Sequence, residues 1–189
     1  MTPPAVTAVP RARLDDLYAR TDDPWDFRTS PYEIGRMGAV GMALPRARYV
    51  SALELGCGNG ELARRLVRRC DAYVGLDAAG AALAAARTVL PEVRFVHAFL
   101  PCPLPAGDHD LIVVSEVLYF LDEKGIADLA RRVRAHRRAD VVCVTWLGDT
   151  GAGQMRGRDA LALFLRGLGR DDVVTYDHGA FRIDVAVPR

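Results

Sequence analysis

Five residues in one short stretch could together hold a nucleoside: Gly56, Gly58 and Gly60, with Glu54 before them and Asp77 beyond. An apolar run, Ala52-Leu-Glu-Leu55, ends in the three alternating glycines and passes into Glu61-Leu-Ala-Arg-Arg-Leu-Val-Arg-Arg69. There Leu62, Ala63, Leu66 and Val67 share one face, at spacings of three and four. The pattern predicts a strand, a tight turn and a helix, with the glycines omitting side chains so that backbone can approach a ligand. A second strand, Ala72-Tyr-Val-Gly-Leu76, closes on Asp77, twenty-one residues after Gly56. At that interval a carboxylate meets the hydroxyls of an adenosine ribose. Dinucleotide folds use Gly-x-Gly-x-x-Gly and seat a pyrophosphate on the helix N-terminus. Here the third glycine comes one residue early, and Glu54 would repel a pyrophosphate. The same carboxylate suits a ligand that carries an ammonium and a sulfonium. The bland alternative is an α/β turn that binds nothing.

These residues need a frame, and the chain supplies one in order. Residues 1–12 are rich in Pro, Ala and Thr without a period, and are expected to be disordered. A short helix is predicted over Arg13–Arg20 with Leu14, Leu17 and Tyr18 inward, broken by Thr21-Asp-Asp-Pro24. A loop with three aromatics, Trp25 to Glu33, leads to a second helix over Pro31–Ala43 with proline in its first turn. Strands and helices then alternate: strands over 51–55, 72–76, 93–98, 110–115 and 139–146, with helices over 79–90 and 123–137 between them. The fifth strand is apolar almost throughout, as a strand covered on both faces should be. A glycine-rich loop, Gly148–Gly157, precedes a helix carrying Leu161, Phe164, Leu165 and Leu168. Two closing strands, 172–176 and 180–187, form a hairpin through Asp177-His-Gly179 and make one strand antiparallel. The reading is one doubly wound α/β domain over 13–189, with a helical cap (13–48) and a mostly parallel seven-stranded core (49–189). A ligand belongs outside the C-terminal ends of strands one, two and four.

Composition excludes several classes. At 189 residues, half of them hydrophobic, the chain has the length for one domain with a real core. No apolar run reaches the length of a membrane span, and the N-terminus has no basic segment or apolar core of a signal peptide. A net charge of +1 is too near neutral to argue for a nucleic-acid partner, and none is expected. Lys124 is the only lysine among 25 basic residues, a skew read as genome bias. The pairs Arg64-Arg65 and Arg68-Arg69 and the run from Arg131 to Arg138 are expected on solvated helix faces. Cys57, Cys70, Cys102 and Cys143 form no metal-type or redox spacing, and the four histidines make no ligand pair. A reduced, cytoplasmic protein without metal, monomeric or homodimeric, is expected.

Glu54-x-Gly56-x-Gly58-x-Gly60, with Asp77, resembles the first motifs of the class I S-adenosylmethionine-dependent methyltransferases, as does the order of the elements. Asp23-Pro-Trp25, Pro31-Tyr-Glu33 and Arg36 are similar to the N-terminal cap of the NodS-type family, and Asp110–Leu121 to its strand-four signature. The resemblance covers most of residues 13–121, whereas the final third matches only in the order of its elements. It implies S-adenosylmethionine as cofactor, S-adenosylhomocysteine as product, and N-methylation of an amine, such as an amino sugar or deacetylated oligosaccharide. It further implies a cofactor site built from Trp25, Tyr32, Arg36, Glu54, Gly56, Cys57, Gly58, Gly60, Asp77, Ala78, Phe99, Leu100, Ser115, Glu116 and Val117. One position departs from the pattern. Where the family carries an acid for the adenine amine, this chain has Phe99, so adenine must lean on apolar contact and backbone groups. Ordinary core packing is the other reading of Phe99.

Methyl transfer from a sulfonium needs chiefly a nucleophile held in line and water kept out. Trp25, Tyr32 and Tyr119 could face the sulfonium, and Arg36 could pair with the cofactor carboxylate. Trp25 could equally plug the space between cap and sheet. Glu116 is the first candidate for orienting the acceptor or taking its proton, and Tyr119 the second, as hydrogen-bonding wall or weak base. Against this, Glu116 and Ser115 could simply cap the next helical turn. His97 is the one histidine expected near the cofactor, while Trp146 and the 148–157 loop are positioned to meet a substrate. Competing functions are a small-molecule O-methyltransferase, which would want a stronger base, and a non-catalytic cofactor-binding protein. An NAD-dependent oxidoreductase is disfavoured by Glu54 and the early glycine. Ser115-Glu-Val-Leu-Tyr119 also lacks the Pro-Pro-Tyr of base-amino methylases.

Overall fold

The runs of Val, Leu and Ile that punctuate the sequence become strands, and most are buried on both faces because helices cover each side. A computed structural model of the chain describes residues 7–18, 20–151 and 153–188. The elements run α1 (Arg11–Tyr18), α2 (Pro31–Ala43), β1 (Tyr49–Leu55), α3 (Glu61–Leu66), β2 (Cys70–Asp77), α4 (Gly80–Val89), β3 (Arg94–His97) and β4 (Leu111–Ser115). They continue with α5 (Glu123–Arg134), β5 (Asp140–Trp146), α6 (Gly157–Leu168), β6 (Val173–Asp177) and β7 (Phe181–Ala186). One seven-stranded sheet has the order β3-β2-β1-β4-β5-β7-β6. All neighbours pair in parallel except β7, which is antiparallel to both β5 and β6. The doubly wound α/β fold is therefore the one expected.

Local chemistry explains the boundaries. Ser30 caps α2 by accepting from Glu33 N, and Pro31 opens the helix where no amide is needed. Asp122 caps α5 by accepting from Gly125 N at 2.7 Å, a contact worth about 1 kcal/mol. The helix expected through Arg69 ends at Leu66 and tightens into a 3-10 turn over Val67–Arg69. Arg69 is not on a solvated face: its guanidinium donates to the carbonyls of Gly41, Arg46 and Ala47, closing the link between α2 and β1. Two apolar clusters fill the layers on either side of the sheet. One centres on Val40, Ala63, Leu83 and Val113, the other on Leu53, Ile126, Leu129 and Phe164.

The N-terminal segment departs from expectation. Residues 1–6 lie outside the described residues, but residues 7–12 are ordered. Thr7 N donates to Gly153 O, Val9 N donates to Phe120 O, and Val9 is buried. The burial of Val9 and these two backbone bonds place a stretch that has no sequence period. Leu17, expected inward, is exposed, whereas Tyr18 is buried as expected; the Leu14 side chain lies outside the described residues. Among the described residues, no helix is long and apolar enough to cross a membrane, and no cluster of three or more His, Cys, Asp or Glu is placed to hold a metal ion.

Candidate functional site

A cavity of about 620 Å³ opens at the C-terminal ends of β1, β2, β4 and β5, roofed by α1, the aromatic loop and α2. Its walls include Trp25, Tyr32, Arg36, Glu54, Gly56, Cys57, Gly58, Asp77, Ala78, Phe99, Leu100, Ser115, Glu116, Val117 and Tyr119. Those are all but one of the residues named from sequence for the cofactor site and for catalysis.

The exception is Gly60, and with it the reason for the glycines changes. A Cβ on Gly60 would meet Ala86 of α4 at 3.1 Å, and its φ of +84° starts α3, so it serves helix packing and is not on the cavity wall. A Cβ on Gly56 (φ +84°) would come 2.1 Å from Val117 Cγ1 and 2.4 Å from Ser115 O, so the constraint there is the turn after β4. At Gly58 (φ +51°) the nearest atom is the Tyr18 hydroxyl, 3.2 Å away. Protein atoms crowd these sites, and left-handed backbone demands glycine besides. Neighbouring elements by themselves already demand glycine here, while Gly56 and Gly58 remain on the cavity wall.

Asp77 ends β2 with both carboxylate oxygens anchored: Oδ2 accepts from Gly58 N at 2.8 Å and Oδ1 from Ala79 N at 2.9 Å. Burial raises its pKa, and these backbone donors oppose the rise. It stands on the cavity wall at the C-terminal end of β2. His97 is exposed and bonds Ala78 O at 2.8 Å, outside the cavity wall. Phe99 is 36 % exposed and borders the cavity, so it is not a core-packing residue. Trp25 is likewise 40 % exposed. It meets Tyr18 edge-on at 5.5 Å and Phe27 at 5.6 Å, forming an aromatic roof in place of a buried plug.

At the other end lies a buried ionic group. Arg36, on α2, is 5 % exposed and has Glu33 Oε2 at 2.5 Å and Glu116 Oε1 at 3.2 Å. Burial works against its charge, but Glu116 and then Glu33 outweigh it, and its pKa rises. Glu116 sits at φ +54°, a left-handed conformation uncommon for a residue with a side chain. Its Oε2 accepts from Tyr119 Oη at 2.9 Å and from Trp146 N at 2.7 Å. It therefore does not cap the turn that follows: that turn is closed by backbone bonds of Phe120 and Leu121, and the cap of α5 is Asp122. Burial raises the Glu116 pKa, with Arg36 opposing. Burial and then the Glu116 charge push the Tyr119 phenol well up, so it is a donor and not a base. Tyr32 meets Trp146 and Phe181 edge-on, each at 5.9 Å, and burial lifts its phenol to about 12.

Four buried polar atoms on these walls lack a hydrogen-bond partner: Arg36 Nη1, Glu54 Oε1, Asn59 Oδ1 and, at the far end, Gln154 Oε1. Glu54 is fully buried, and its Oε2 accepts from Tyr73 Oη at 2.8 Å. Burial lifts its pKa to about 8. Of the four atoms, the cationic Arg36 Nη1, paired only by charge with Glu116, and the two oxygens of Glu54 and Asn59 form the complement of an α-amino acid group, carboxylate to Arg36 and ammonium to the two oxygens. The donor set thus fits the amino-acid part of S-adenosylmethionine, and Asp77 fits its ribose.

Sequence reasoning missed Asn59 and the bonding role of Asp23. Asn59 Nδ2 donates to Asp22 O at 3.1 Å and Asp23 Oδ1 at 3.0 Å. The Asp23 carboxylate also accepts from Phe27 N and Arg28 N. One aspartate therefore stitches the aromatic loop to the glycine turn. The signal available was an asparagine between two glycines and an Asp directly before Pro24. Val9 and Gln154 also reach the cavity, and neither carries a sequence cue.

Comparison with known proteins agrees with this geometry. Residues 52–140 match the model of a family described as a methyltransferase domain. Nodulation protein S of Bradyrhizobium diazoefficiens is 33 % identical over 106 residues, 53 % of this chain and 50 % of that protein. The chain thus spans about half the length of the curated relatives it matches. A Pseudomonas syringae structure described as a methyltransferase superposes with a TM-score of 0.72 at 30 % identity, covering 82 % of this chain and 98 % of the other. The N-methyltransferase NodS of Bradyrhizobium japonicum, in complex with S-adenosyl-l-homocysteine, superposes with a TM-score of 0.79 over 95 % of this chain and 99 % of that one. At 19 % identity, that second likeness speaks for the fold alone. Motif, sheet order and sequence relatives converge: the chain belongs to the class I methyltransferases and is NodS-like.

Proposed function

We propose that this protein transfers the methyl group of S-adenosylmethionine to the nitrogen of a small amine, of which an amino sugar is one example. The observation that carries the reading is a cluster of three buried atoms without a hydrogen bond, Glu54 Oε1, Asn59 Oδ1 and Arg36 Nη1 (the last in an ion pair with Glu116), beside an anchored Asp77. Arg36 would hold the cofactor carboxylate, Glu54 and Asn59 its ammonium, Asp77 the ribose, and Phe99 and Leu100 the apolar face of the adenine. When bound, the cofactor supplies a methyl carbon activated by a sulfonium, the C–S electron pair staying on sulfur as the N–C bond forms.

The chain's own residues favour nitrogen over oxygen as acceptor. Neither histidine nor lysine lines the cavity among the described residues, and the Tyr119 phenol is held protonated. A hydroxyl acceptor would need a strong base. An amine needs only to shed its ammonium proton before attack, and the raised pKa of Glu116 suits that proton better than an ordinary carboxylate does. Glu116 Oε2 is held by two donors, which leaves Oε1, now 3.2 Å from Arg36, to meet the acceptor. The thiols of Cys57, Cys70, Cys102 and Cys143 are all free, which suits the reducing cytoplasm.

Calorimetric titration of S-adenosylhomocysteine tests the pocket. We expect micromolar affinity, reduced at least tenfold in Asp77→Ala, a loss of about 1.4 kcal/mol. Mass spectrometry of a panel of primary amines and matched alcohols then tests the acceptor, with transfer expected only to the amines. Absence of binding, or transfer to the alcohols instead, would refute the assignment.

A further inference from the structure

The cavity has two ends, and the N-terminal segment crosses one of them. Sheet order puts Asp77 of β2 to one side of β1, and Glu116 after β4 and Trp146 of β5 to the other. With the ribose at Asp77, the acceptor end is the β4–β5 end. Thr7 N donates there to Gly153 O at 3.2 Å, and Val9 N donates to Phe120 O at 2.9 Å. Residues 7–9 are therefore a strap fastened to the turn after β4 and to the loop after β5. Val9 is 4 % exposed and forms part of the cavity wall. From the loop that holds the strap, Gln154 also faces the cavity, with its Oε1 buried and without a hydrogen-bond partner.

We propose that this strap and the loop it fastens to form a wall that restricts the methyl acceptor to a molecule about one sugar ring across. Gln154 Oε1 takes a hydrogen bond from that acceptor. The inference rests on the methyltransferase reading and sharpens it. A single small ligand occupies a pocket of about 300–1,000 Å³, and here about 620 Å³ must serve a nucleoside-bearing cofactor and the acceptor together. An acceptor that extended past the strap would have to lift Val9 from its burial and break the strap hydrogen bonds. Its reward would be small, because solvent already satisfies the polar groups of a sugar chain. Gln154 supplies the selective element, since a buried acceptor atom left unpaired disfavours a molecule with no donor to offer it.

The test uses the full chain saturated with S-adenosylhomocysteine, titrated with glucosamine and with its β-1,4-linked tetramer. The monomer is expected to bind at least tenfold more tightly than the tetramer. Val9→Gly should bring the tetramer to within about threefold of the monomer. Gln154→Leu should weaken the monomer about tenfold, with S-adenosylhomocysteine affinity retained in both variants. Equal binding of the two probes by the unaltered protein overturns the proposal, as does binding of neither probe by the saturated protein. Failure to bind S-adenosylhomocysteine at all refutes the methyltransferase reading itself, and the wall falls with it, so the two failures are told apart.

Discussion

Glu54 shows how one buried side chain ties ligand binding to pH. Burial raises its pKa from 4.5 to about 8, with the Tyr73 hydroxyl pulling the other way. The folded carboxyl keeps its proton at pH values where the unfolded chain has lost it. Its contribution to stability is therefore complete below about pH 4.5 and is lost as the pH climbs toward 8. For a fully buried group the effect is of order a few kcal/mol. In Glu54→Gln, which cannot ionise, urea unfolding of the ligand-free protein should depend much less on pH between about 5 and 8. An unchanged slope would mean that the carboxyl ionises freely where it sits. The same proton gives the free enzyme a neutral wall at β1, and a cofactor ammonium would lower the carboxyl pKa, releasing the proton to solvent and leaving a carboxylate to accept from the ammonium.

Helices and loops decide whether such residues meet a ligand at all. Among the described residues between Tyr18 and Pro31 the aromatic loop has no strand or helix of its own, yet Asp23 fixes it by accepting from Phe27 N, Arg28 N and Asn59 Nδ2. Asp23→Ala should leave the sheet intact and loosen the roof. S-adenosylhomocysteine affinity is expected to fall about tenfold, or about 1.4 kcal/mol, with only a small change in melting temperature. A large loss of stability without loss of affinity would assign Asp23 to the core instead. These elements also show what can be read from a sequence. The strand ends are legible because apolar runs stop at residues that have tasks: β4 gives way to Ser115-Glu116, and β2 to Asp77. Helix α2 is legible to the residue because Ser30-Pro31 is a local start signal. The strap is not legible, because its hydrogen bonds join Thr7 to Gly153 and Val9 to Phe120, across most of the chain, and nothing local encodes them. The glycine motif is legible as a turn but not in its cause, since only the fold brings Val117 and Ala86 against it.

At the scale of the molecule, ligand binding and folding share one free energy. A cofactor product held only by the folded state at one hundred times its dissociation constant adds about 2.7 kcal/mol. For a domain of this size that should raise the melting temperature by about 5–10 °C, measurable by scanning calorimetry. No shift at saturating S-adenosylhomocysteine would mean that the cavity does not hold it. The sheet adds a constraint of another kind. β7 lies between β5 and β6 yet follows both in the chain. While the polypeptide is being made, β5 waits with one edge bare until Phe181–Ala186 has emerged and turned back beside it. At about 5–20 residues per second, that interval lasts several seconds. Ribosome pausing before β7 would prolong the exposure of an almost wholly apolar strand, so the yield of soluble protein should fall when translation through codons 147–186 is slowed.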